Sequence, residues 1–274
     1  MSTALSSPLS VPDIDVDRRF GGIARAYGAS ALSAFRAAHV CVIGVGGVGS
    51  WAVEALARSA IGRITMIDLD HLAESNVNRQ IHALTDTLGQ AKVAALTDRI
   101  AQINPICEVT AIEEFIDADN VAALVTPGRF DYVIDAIDDA RAKTALIVHC
   151  REHQIPLLTI GSAGGQTDPT RIAVTDLART EQEPLLKRVR KNLRLRHGFP
   201  RGTKVKFGID AVYSMEPLRL PEVCAVEEGE ADDAAAGVTG LNCAGYGSAM
   251  VVTASFGLVA AAHVLRKIAA KMQS

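Results

Sequence analysis

The segment CVIGVGGVGS, Cys41 to Ser50, is typical of a buried strand that runs into a glycine turn and then into a helix. Its glycines Gly44, Gly46 and Gly49 form the pattern G-x-G-x-x-G, with Gly47 as an additional glycine. Between a strand and a helix, this pattern predicts a loop whose backbone N–H groups approach the phosphates of a nucleotide. A tight turn without a ligand is the alternative.

Strands and helices alternate over the first part of the chain. The segments RITMIDLD, ICEVTAI, FDYVIDAID and IPLLTIG read as further strands, and amphipathic helices separate them. This order predicts an α/β fold, with a doubly wound, Rossmann-like and mostly parallel sheet. After Gly161 the pattern becomes less regular, which predicts a smaller irregular C-terminal extension.

Composition limits the classes of protein that the chain can belong to. With 274 residues and 49% hydrophobic residues it can bury a sizeable core, and its formal net charge of -3 does not by itself indicate a nucleic-acid-binding protein. None of the five cysteines forms a C-x-x-C pair, so neither a zinc ribbon nor a thioredoxin-type motif is indicated. The odd count and the lack of a secretory signal favour the cytoplasm.

Carboxylates and cations follow the second predicted strand. Asp68 and Asp70 lie about 20 residues after the glycine turn, where a carboxylate holds a ribose hydroxyl, which suits NAD and ATP equally. The stretch NVNRQ and Lys92 favour ATP, because Arg79 and Lys92 are suited to neutralising charge on a triphosphate that is being cleaved. A solvated Lys92 is the alternative. The candidate ATP-binding residues are Gly44, Gly46, Gly47, Gly49, Asp68, Asp70, Asn76, Arg79, Gln80 and Lys92.

A second group of carboxylates follows the fourth predicted strand, in VIDAIDD. Asp135 ends that strand, and Asp138 and Asp139 come just before a helix, at the sheet edge where ligands bind. One of the two is suited to hold Mg²⁺ together with phosphate oxygens and water, and the other to cap the helix. From the residues alone, either carboxylate fits either role.

The elements GVGGVG, Asp68, NVNRQ, Lys92 and DAIDD together resemble the ubiquitin-activating-enzyme-like superfamily, which includes bacterial adenylyltransferases that activate sulfur-carrier proteins. The resemblance extends from about residue 20 to residue 160. It implies that Asp68 binds ribose, that Asn76, Arg79 and Lys92 handle ATP, and that Asp138 coordinates Mg²⁺. It thereby implies Arg79, Lys92 and Asp138 as catalytic residues.

Over nearly the whole chain, RRFGGIARAYG, NRQIHAL, IDAIDDARAKTALI and AGGQTDPTRIAVTDLA look like the tRNA threonylcarbamoyladenosine dehydratase family. The implied reaction uses ATP to adenylate the carboxylate of threonylcarbamoyladenosine beside the anticodon, and the same modified base then captures the acyl group, with loss of water. The resemblance also implies a homodimer. A need for a monovalent cation, Na⁺ or K⁺, is left open.

Departures from the superfamily pattern favour the narrower resemblance. The paired C-x-x-C motifs of sulfur-carrier adenylyltransferases are missing, and no cysteine occurs between Arg151 and Val223, where an acyl-accepting thiolate would be sought. An intramolecular cyclisation needs no such thiol. The superfamily motif R-Y-x-R-Q, whose second arginine reaches the partner subunit's site, is not kept after Phe20; either Arg25 takes that role or no residue does.

Nine Lys or Arg residues lie between Leu186 and Phe207, with a partial apolar stripe formed by Leu185, Leu186, Val189, Leu193 and Leu195. Charge runs are usually solvated faces, but in a mildly acidic chain this local cluster favours a helix that docks the anticodon stem by binding its phosphates. The candidate tRNA-binding residues are Lys187, Arg188, Arg190, Lys191, Arg194 and Arg196.

Two features near the C-terminus leave alternatives open. The uncharged segment from Ala244 to Ala262 is either a helix packed on the core and a neighbouring subunit, or a membrane contact. Cys224 and Cys243 flank an acidic loop and are candidates for meeting a cysteine desulfurase or another sulfur-acceptor protein. Cys41, Cys107 and Cys150 are interpreted as core residues.

The predicted organisation has four segments: a flexible leader 1–17, an ATP-binding domain 18–165, a tRNA-side extension 166–243 and a C-terminal helix 244–274. Four functions remain to be distinguished. They are an ATP-dependent tRNA-modifying enzyme, an activator of a sulfur-carrier or ubiquitin-like protein, an NAD-dependent oxidoreductase, and a nucleotide-binding scaffold without activity.

Overall fold

A computed structural model describes residues 14–202, 205–219 and 246–271. The strands are β1 His39–Ile43, β2 Arg63–Ile67, β3 Glu108–Ile112, β4 Tyr132–Asp135, β5 Leu157–Ile160, β6 Ile172–Asp176 and β7 Asp210–Ser214. The helices are α1 Val16–Tyr27, α2 Ala29–Ala37, α3 Gly49–Arg58, α4 Lys92–Ile103, α5 Val121–Leu124, α6 Ala140–Glu152, α7 Pro184–Arg196 and α8 Met250–Ala270.

The strands form one seven-stranded sheet in the order β3-β2-β1-β4-β5-β7-β6. Neighbouring strands are parallel from β3 to β7, and the edge strand β6 is antiparallel to β7. The order reverses between β1 and β4, so the loops that leave these two strands diverge and open a crevice at the carboxyl edge of the sheet. The predicted doubly wound, mostly parallel fold is confirmed.

Both faces of the sheet are covered, as expected for parallel strands. Alternate strand residues such as Val40 and Val42 pack with α2, α3, α4 and α8 in one core. Their neighbours Cys41 and Ile43 pack with α5, α6 and α7 in the other. The alternation of side chains along each strand therefore divides the helices into two layers.

Helix α8 belongs to the first core. It begins at Met250, later than the predicted start at residue 244, and residues 244–245 lie outside the described part of the chain. By length and composition it could cross a membrane, but 56% of its most apolar window is buried inside the protein. Packing in the core accounts for that apolar character, and membrane contact stays a prediction.

The predicted extension 166–243 contributes directly to the sheet, because β7 pairs with β5 and β6 pairs with β7. The boundary at residue 165 therefore lies between strands of one sheet. At the other end, α1 begins at Val16, where Asp15 caps it by accepting the Arg18 N–H at 2.8 Å, so the last two residues of the predicted leader are helical. The acidic loop, Cys224 and Cys243 lie outside the described residues.

A close helix crossing yields a stability prediction. A Cβ at Gly257 in α8 would lie 2.4 Å from the Val48 carbonyl oxygen and 2.8 Å from the Ala52 nitrogen, so Gly257→Ala must separate α8 from α3. We expect a loss of about 1–3 kcal/mol in the free energy of unfolding, the usual cost of overpacking. Urea denaturation measures it.

Gly22→Ala in α1 is the matched control, because a Cβ there would meet no atom closer than 4.0 Å. It should leave stability unchanged or raise it slightly through helix propensity. Equal stability of the Gly257→Ala protein and the wild type would contradict the close crossing of the two helices.

Candidate active site

A cavity of about 800 Å³ lies at the carboxyl edge of the sheet, within the size range of small-molecule sites. The loops that follow β1, β2, β3, β4 and β5 all line it, and so do the first turn of α7 and Thr253 of α8. The parallel sheet thus brings together residues that are far apart in sequence.

The glycine turn forms the floor of the cavity. A Cβ at Gly49 would lie 1.8 Å from the Gly44 carbonyl oxygen, and a Cβ at Gly44, whose φ is +80°, would lie 2.9 Å from the Ala136 oxygen. Any side chain at these two positions would push the turn away from the start of α3 or from β4. Gly46 and Gly47 line the cavity instead, and both are partly exposed.

Asp68 fastens the glycine turn to the end of β2. Its Oδ2 accepts the Val45 N–H at 2.7 Å and its Oδ1 accepts the Asp70 N–H at 2.9 Å. The carboxyl group is 8% exposed, and burial raises its pKa against the opposing charge of Lys92. Asp68 therefore lies where a nucleotide ribose is expected in this fold.

Lys92 is buried rather than solvated. Its side chain lies at the first residue of α4, and its Nζ is 2.6 Å from Asp70 Oδ2 and 4.0 Å from Asp68 Oδ1. A backbone bridge between His71 and Ala91 returns the chain to this point. A cation is thus held against two carboxylates on the wall of the cavity, ready to compensate an anionic ligand.

The NVNRQ segment folds over the glycine turn. Asn76 ends a short 3-10 helix, Glu74–Asn76, and its Oδ1 accepts the Ala73 N–H at 3.0 Å. The Arg79 side chain packs beside Gly47, since a Cβ on that glycine would lie 3.3 Å from Arg79 Cγ and Cδ. Gln80 is buried and lies next to Gly46.

The two carboxylates after β4 both line the cavity but differ in their hydrogen bonds. Asp139 caps α6, because its Oδ1 accepts the N–H groups of Arg141 and Ala142 at 2.9 and 2.8 Å. Asp138 is exposed and lines the cavity.

No group of three or more His, Cys, Asp or Glu residues suited to a metal occurs among the described residues. The exposed Asp138 carboxylate in the cavity fits Mg²⁺ bound jointly with phosphate oxygens and water.

Arg25 is not at the cavity. It lies near the end of α1, exposed, and does not line the site of its own subunit. A role for Arg25 in a partner's site stays a prediction.

Helix α7 borders the site with its first turn and carries the predicted tRNA-binding cations. Leu185 lines the active-site cavity, whereas Pro184, Lys187 and other α7 residues line a second, shallow cavity of about 690 Å³ on the outside. The predicted apolar stripe is wrong at one position, since Leu195 is exposed and faces that second cavity.

The six predicted cations of α7 fall into two groups. Arg190 donates to the Thr180 hydroxyl, and Arg194 packs over the Phe207 ring at 5.2 Å, so both are partly engaged by the fold. The others are exposed to solvent: Lys187, Arg188, Lys191 and Arg196.

Sequence reasoning missed several residues of this region. Arg141 and Phe115 line the cavity, and Phe115 is 60% exposed, a side chain on which a base can stack. Lys143 and Glu183 are buried beneath the lining. An aromatic residue three positions after the end of β3 was a visible signal, whereas a buried Lys or Glu leaves no pattern in a single sequence.

The described cysteines are unsuited to thioester chemistry. Cys41 and Cys150 are buried as predicted, and Cys107 is only partly buried, since it lies at the surface end of the turn before β3. Burial raises the pKa of Cys107 and of Cys150 to about 12, so both thiols stay protonated near neutrality.

Comparisons with known proteins agree with this geometry. Residues 21–274 match the model of the ThiF family. The chain belongs to the ThiF family.

Among ThiF relatives, a tRNA threonylcarbamoyladenosine dehydratase of Escherichia coli is 51% identical over 259 residues, which are 93% of this chain and 94% of that protein. A molybdopterin-synthase adenylyltransferase of Salmonella typhimurium is 31% identical over 50% of this chain and 54% of its own. The predicted resemblance to the dehydratases is confirmed.

The fold agrees as well. The crystal structure of the E. coli tRNA N6-threonylcarbamoyladenosine dehydratase in complex with ATP superimposes with a TM-score of 0.82 at 49% identity, covering 93% of this chain and 95% of that one. A ThiF-family protein of the same architecture thus holds ATP.

Asp68 can be tested by nucleotide binding. Asp68→Asn keeps the size of the side chain but puts an amide against N–H donors and removes the charge, so we expect ATP affinity to fall by about tenfold or more. Isothermal titration calorimetry measures the Kd. Asp86→Asn, an exposed carboxylate away from the cavity lining, is the control; equal reductions in both variants would contradict a role of Asp68 in the site.

Proposed function

We propose that this chain is an ATP-dependent tRNA threonylcarbamoyladenosine dehydratase. The observation that carries the proposal is its 51% identity, over nearly the full length of both chains, to a protein of that name. The cavity supports the proposal, because the glycine turn, Asp68 and the cations Arg79 and Lys92 all line it.

The chemistry begins with adenylation. A carboxylate oxygen of threonylcarbamoyladenosine attacks the α-phosphorus of ATP and pyrophosphate leaves. An atom of the same modified base then attacks the activated acyl carbon and displaces AMP, so that the nucleoside becomes cyclic and one water is lost overall. Tethering of the second nucleophile replaces an enzyme thiol.

The cavity residues have distinct roles in this proposal. The N–H groups of Gly46 and Gly47 approach the phosphates, Asp68 holds the ribose, and Phe115 stacks on a base. Arg79 and Lys92 stabilise the negative charge that develops as pyrophosphate leaves. Asn76 and Gln80 keep the NVNRQ segment over the turn.

Asp138 would hold Mg²⁺, which when bound adds positive charge to the phosphate oxygens. Asp139 already uses its Oδ1 to cap α6, which favours Asp138 for this role. Nothing among the described residues identifies a site for Na⁺ or K⁺, and no step is assigned to a monovalent cation.

The proposed tRNA surface is the exposed side of α7. The first turn of α7 lines the active-site cavity. A tRNA whose phosphates bind along this helix would therefore have its modified nucleoside close to the bound ATP. We also propose that the protein forms a homodimer in which Arg25 reaches the partner's site. The proposed location is the cytoplasm. A sulfur-acceptor partner has no support from the described residues.

Adenylation of a protein C-terminus is the second candidate, favoured by the molybdopterin-synthase adenylyltransferase relative. That relative, however, matches only about half of this chain. Pyrophosphate release stimulated by a small Gly-Gly-ended protein, and not by modified tRNA, would select it. NADH absorbance changes would select an oxidoreductase.

The function is tested by incubating the wild-type protein with ATP, Mg²⁺ and tRNA that carries threonylcarbamoyladenosine. We expect mass spectrometry of the digested tRNA to show a nucleoside lighter by one water, with one AMP formed for each. The same tRNA without the threonylcarbamoyl group is the control. ATP cleavage that leaves the nucleoside mass unchanged would rule out the dehydratase.

The α7 surface is tested by reversing three exposed charges at once, in Lys187→Glu, Arg188→Glu and Lys191→Glu. We expect tRNA affinity to fall and the slope of log affinity against log salt to weaken by up to about three, because each reversed cation can no longer neutralise a phosphate. ATP affinity should not change, because these side chains do not line the active-site cavity.

The matched control reverses Arg18, Arg63 and Arg266, which are exposed on other elements and change the net charge equally. It should leave the tRNA salt slope close to that of the wild type. An equal fall in affinity in the two triple variants would mean that net charge, and not the α7 surface, determines binding.

A further inference from the structure

A fully buried cation lies beneath the active-site lining. Lys143 of α6 is 0% exposed, and its Nζ lies 2.8 Å from Asp135 Oδ1, 3.2 Å from the Asp135 carbonyl oxygen and 3.2 Å from Thr159 Oγ1. Three acceptors satisfy the three protons of the ammonium group. The side chain is therefore held in a single arrangement between β4 and β5.

The carboxylate that pairs with Lys143, Asp135, also binds the backbone of the loop that carries Asp138. Asp135, at the end of β4, is also 0% exposed. Its Oδ1 accepts the Ile137 N–H at 3.1 Å, and its Oδ2 accepts the Thr159 hydroxyl at 2.7 Å. The turn from β4 to the proposed Mg²⁺ ligand is thus fastened to the same carboxylate that binds Lys143.

A second buried carboxylate, Glu183, joins the loop after β5 to the first turn of α7. Glu183 is 2% exposed, and its Oε1 accepts the Ser162 N–H at 3.0 Å and the Leu185 N–H at 3.2 Å. Its Oε2 accepts the Leu186 N–H, which fixes the first turn of α7. Burial raises the pKa of Glu183, and the three N–H donors and the more distant charge of Lys143 oppose that rise.

The packing around Glu183 leaves little freedom. A Cβ at Gly161 would lie 2.9 Å from Glu183 Cγ and Cδ, so the loop after β5 closes directly onto the carboxyl group. Gly161, Ser162 and Leu185 all line the active-site cavity. Lys143 thus bonds the end of β4 and Thr159 of β5, and the loop that follows β5 closes onto Glu183 at the start of α7.

Stability alone does not explain this arrangement. Buried ions lose their hydration, and well-packed apolar residues often replace them without loss of stability. Fixing the relative position of two loops is what directed hydrogen bonds provide and apolar packing does not.

We propose that Lys143 is a positioning residue that, through its bonds to Asp135 and Thr159, sets the Asp138 loop against the Gly161–Ser162 loop, onto which Glu183 and the first turn of α7 pack. The inference rests on the proposed function, which assigns Mg²⁺ to Asp138 and tRNA to the exposed side of α7. Misplacement of reacting groups by about 1 Å costs on the order of 10²-fold in rate.

The test uses Lys143→Met, which keeps the aliphatic length without the charge. The first measurement is the ratio of the ATP Kd without Mg²⁺ to that with Mg²⁺, by calorimetry in the absence of tRNA. Asp138→Asn sets the floor of this ratio. We expect Lys143→Met to lower the ratio towards that floor, and to cause no further fall when combined with Asp138→Asn.

The second measurement is the kinetics of tRNA conversion. We expect kcat to fall on the order of 10²-fold, while tRNA affinity and its salt slope stay at wild-type values, because the exposed face of α7 is unchanged. Arg99→Met is the control, since it removes the cation from Arg99–Glu54, an ion pair at 2.6 Å with a buried carboxylate outside the cavity lining.

A folded Lys143→Met protein with a wild-type Mg²⁺ ratio and wild-type kcat would overturn the proposal. The proposal would also be overturned if Lys143→Met and Arg99→Met lowered the melting temperature and kcat in the same proportion, because that would indicate a purely structural role. If Lys143→Met does not fold, Glu183→Gln decides: lowered kcat at unchanged tRNA affinity supports positioning, and unchanged kcat overturns it.

Failure of the proposed function is recognised separately. It appears as a wild-type protein that does not convert threonylcarbamoyladenosine. The Mg²⁺ ratio still tests Lys143 in that event, because it requires only ATP and the metal ion.

Discussion

The close approach of the backbone between β1 and α3 is the constraint on which the rest of the site depends. The start of α3 lies so near the Gly44 carbonyl that only glycine fits at position 49, and the turn lies so near β4 that only glycine fits at position 44. This proximity puts the positive end of the α3 helix at the topological switch point, where the strand order reverses. The residues that surround the phosphate position are arranged around that turn.

Charge balance explains how Lys92 can lie buried in the cavity wall before a ligand binds. Lys92 contacts Asp70 and approaches Asp68, so its charge is compensated before any ligand arrives. Binding of a polyanion exchanges one set of negative partners for another, and this exchange costs little reorganisation.

Much of this could be predicted from the sequence, and the limits have physical causes. The glycine pattern, the strand ends and NVNRQ are local signals, since each depends on residues adjacent in the chain. The roles of Asp138 and Asp139 could not be separated, because a capping side chain and a ligand-facing one differ only in orientation. Lys143 and Glu183 could not be found at all: their burial results from the packing of α6 and α7 on the sheet, and both residue types are usually exposed.

The two layers of helices divide the site between them, and this bears on how binding at one side reaches the other. Helix α8 supports the nucleotide side, where the Thr253 hydroxyl and the Trp51 indole both donate to the Arg79 carbonyl oxygen at 3.4 and 2.9 Å. Helices α6 and α7 support the opposite side.

The sheet separates the two layers, so a rearrangement in one cannot pass to the other through side-chain packing alone. The layers meet at the carboxyl edge, where Gly44 touches the chain after β4 and where the turn leads on to Asp138. Asp135 and Lys143 fix that same turn, and the loop after β5 closes onto Glu183 at the start of α7. Under the proposed function, the most direct physical route from the proposed tRNA surface to the phosphates therefore runs through these buried groups and not through the hydrophobic cores.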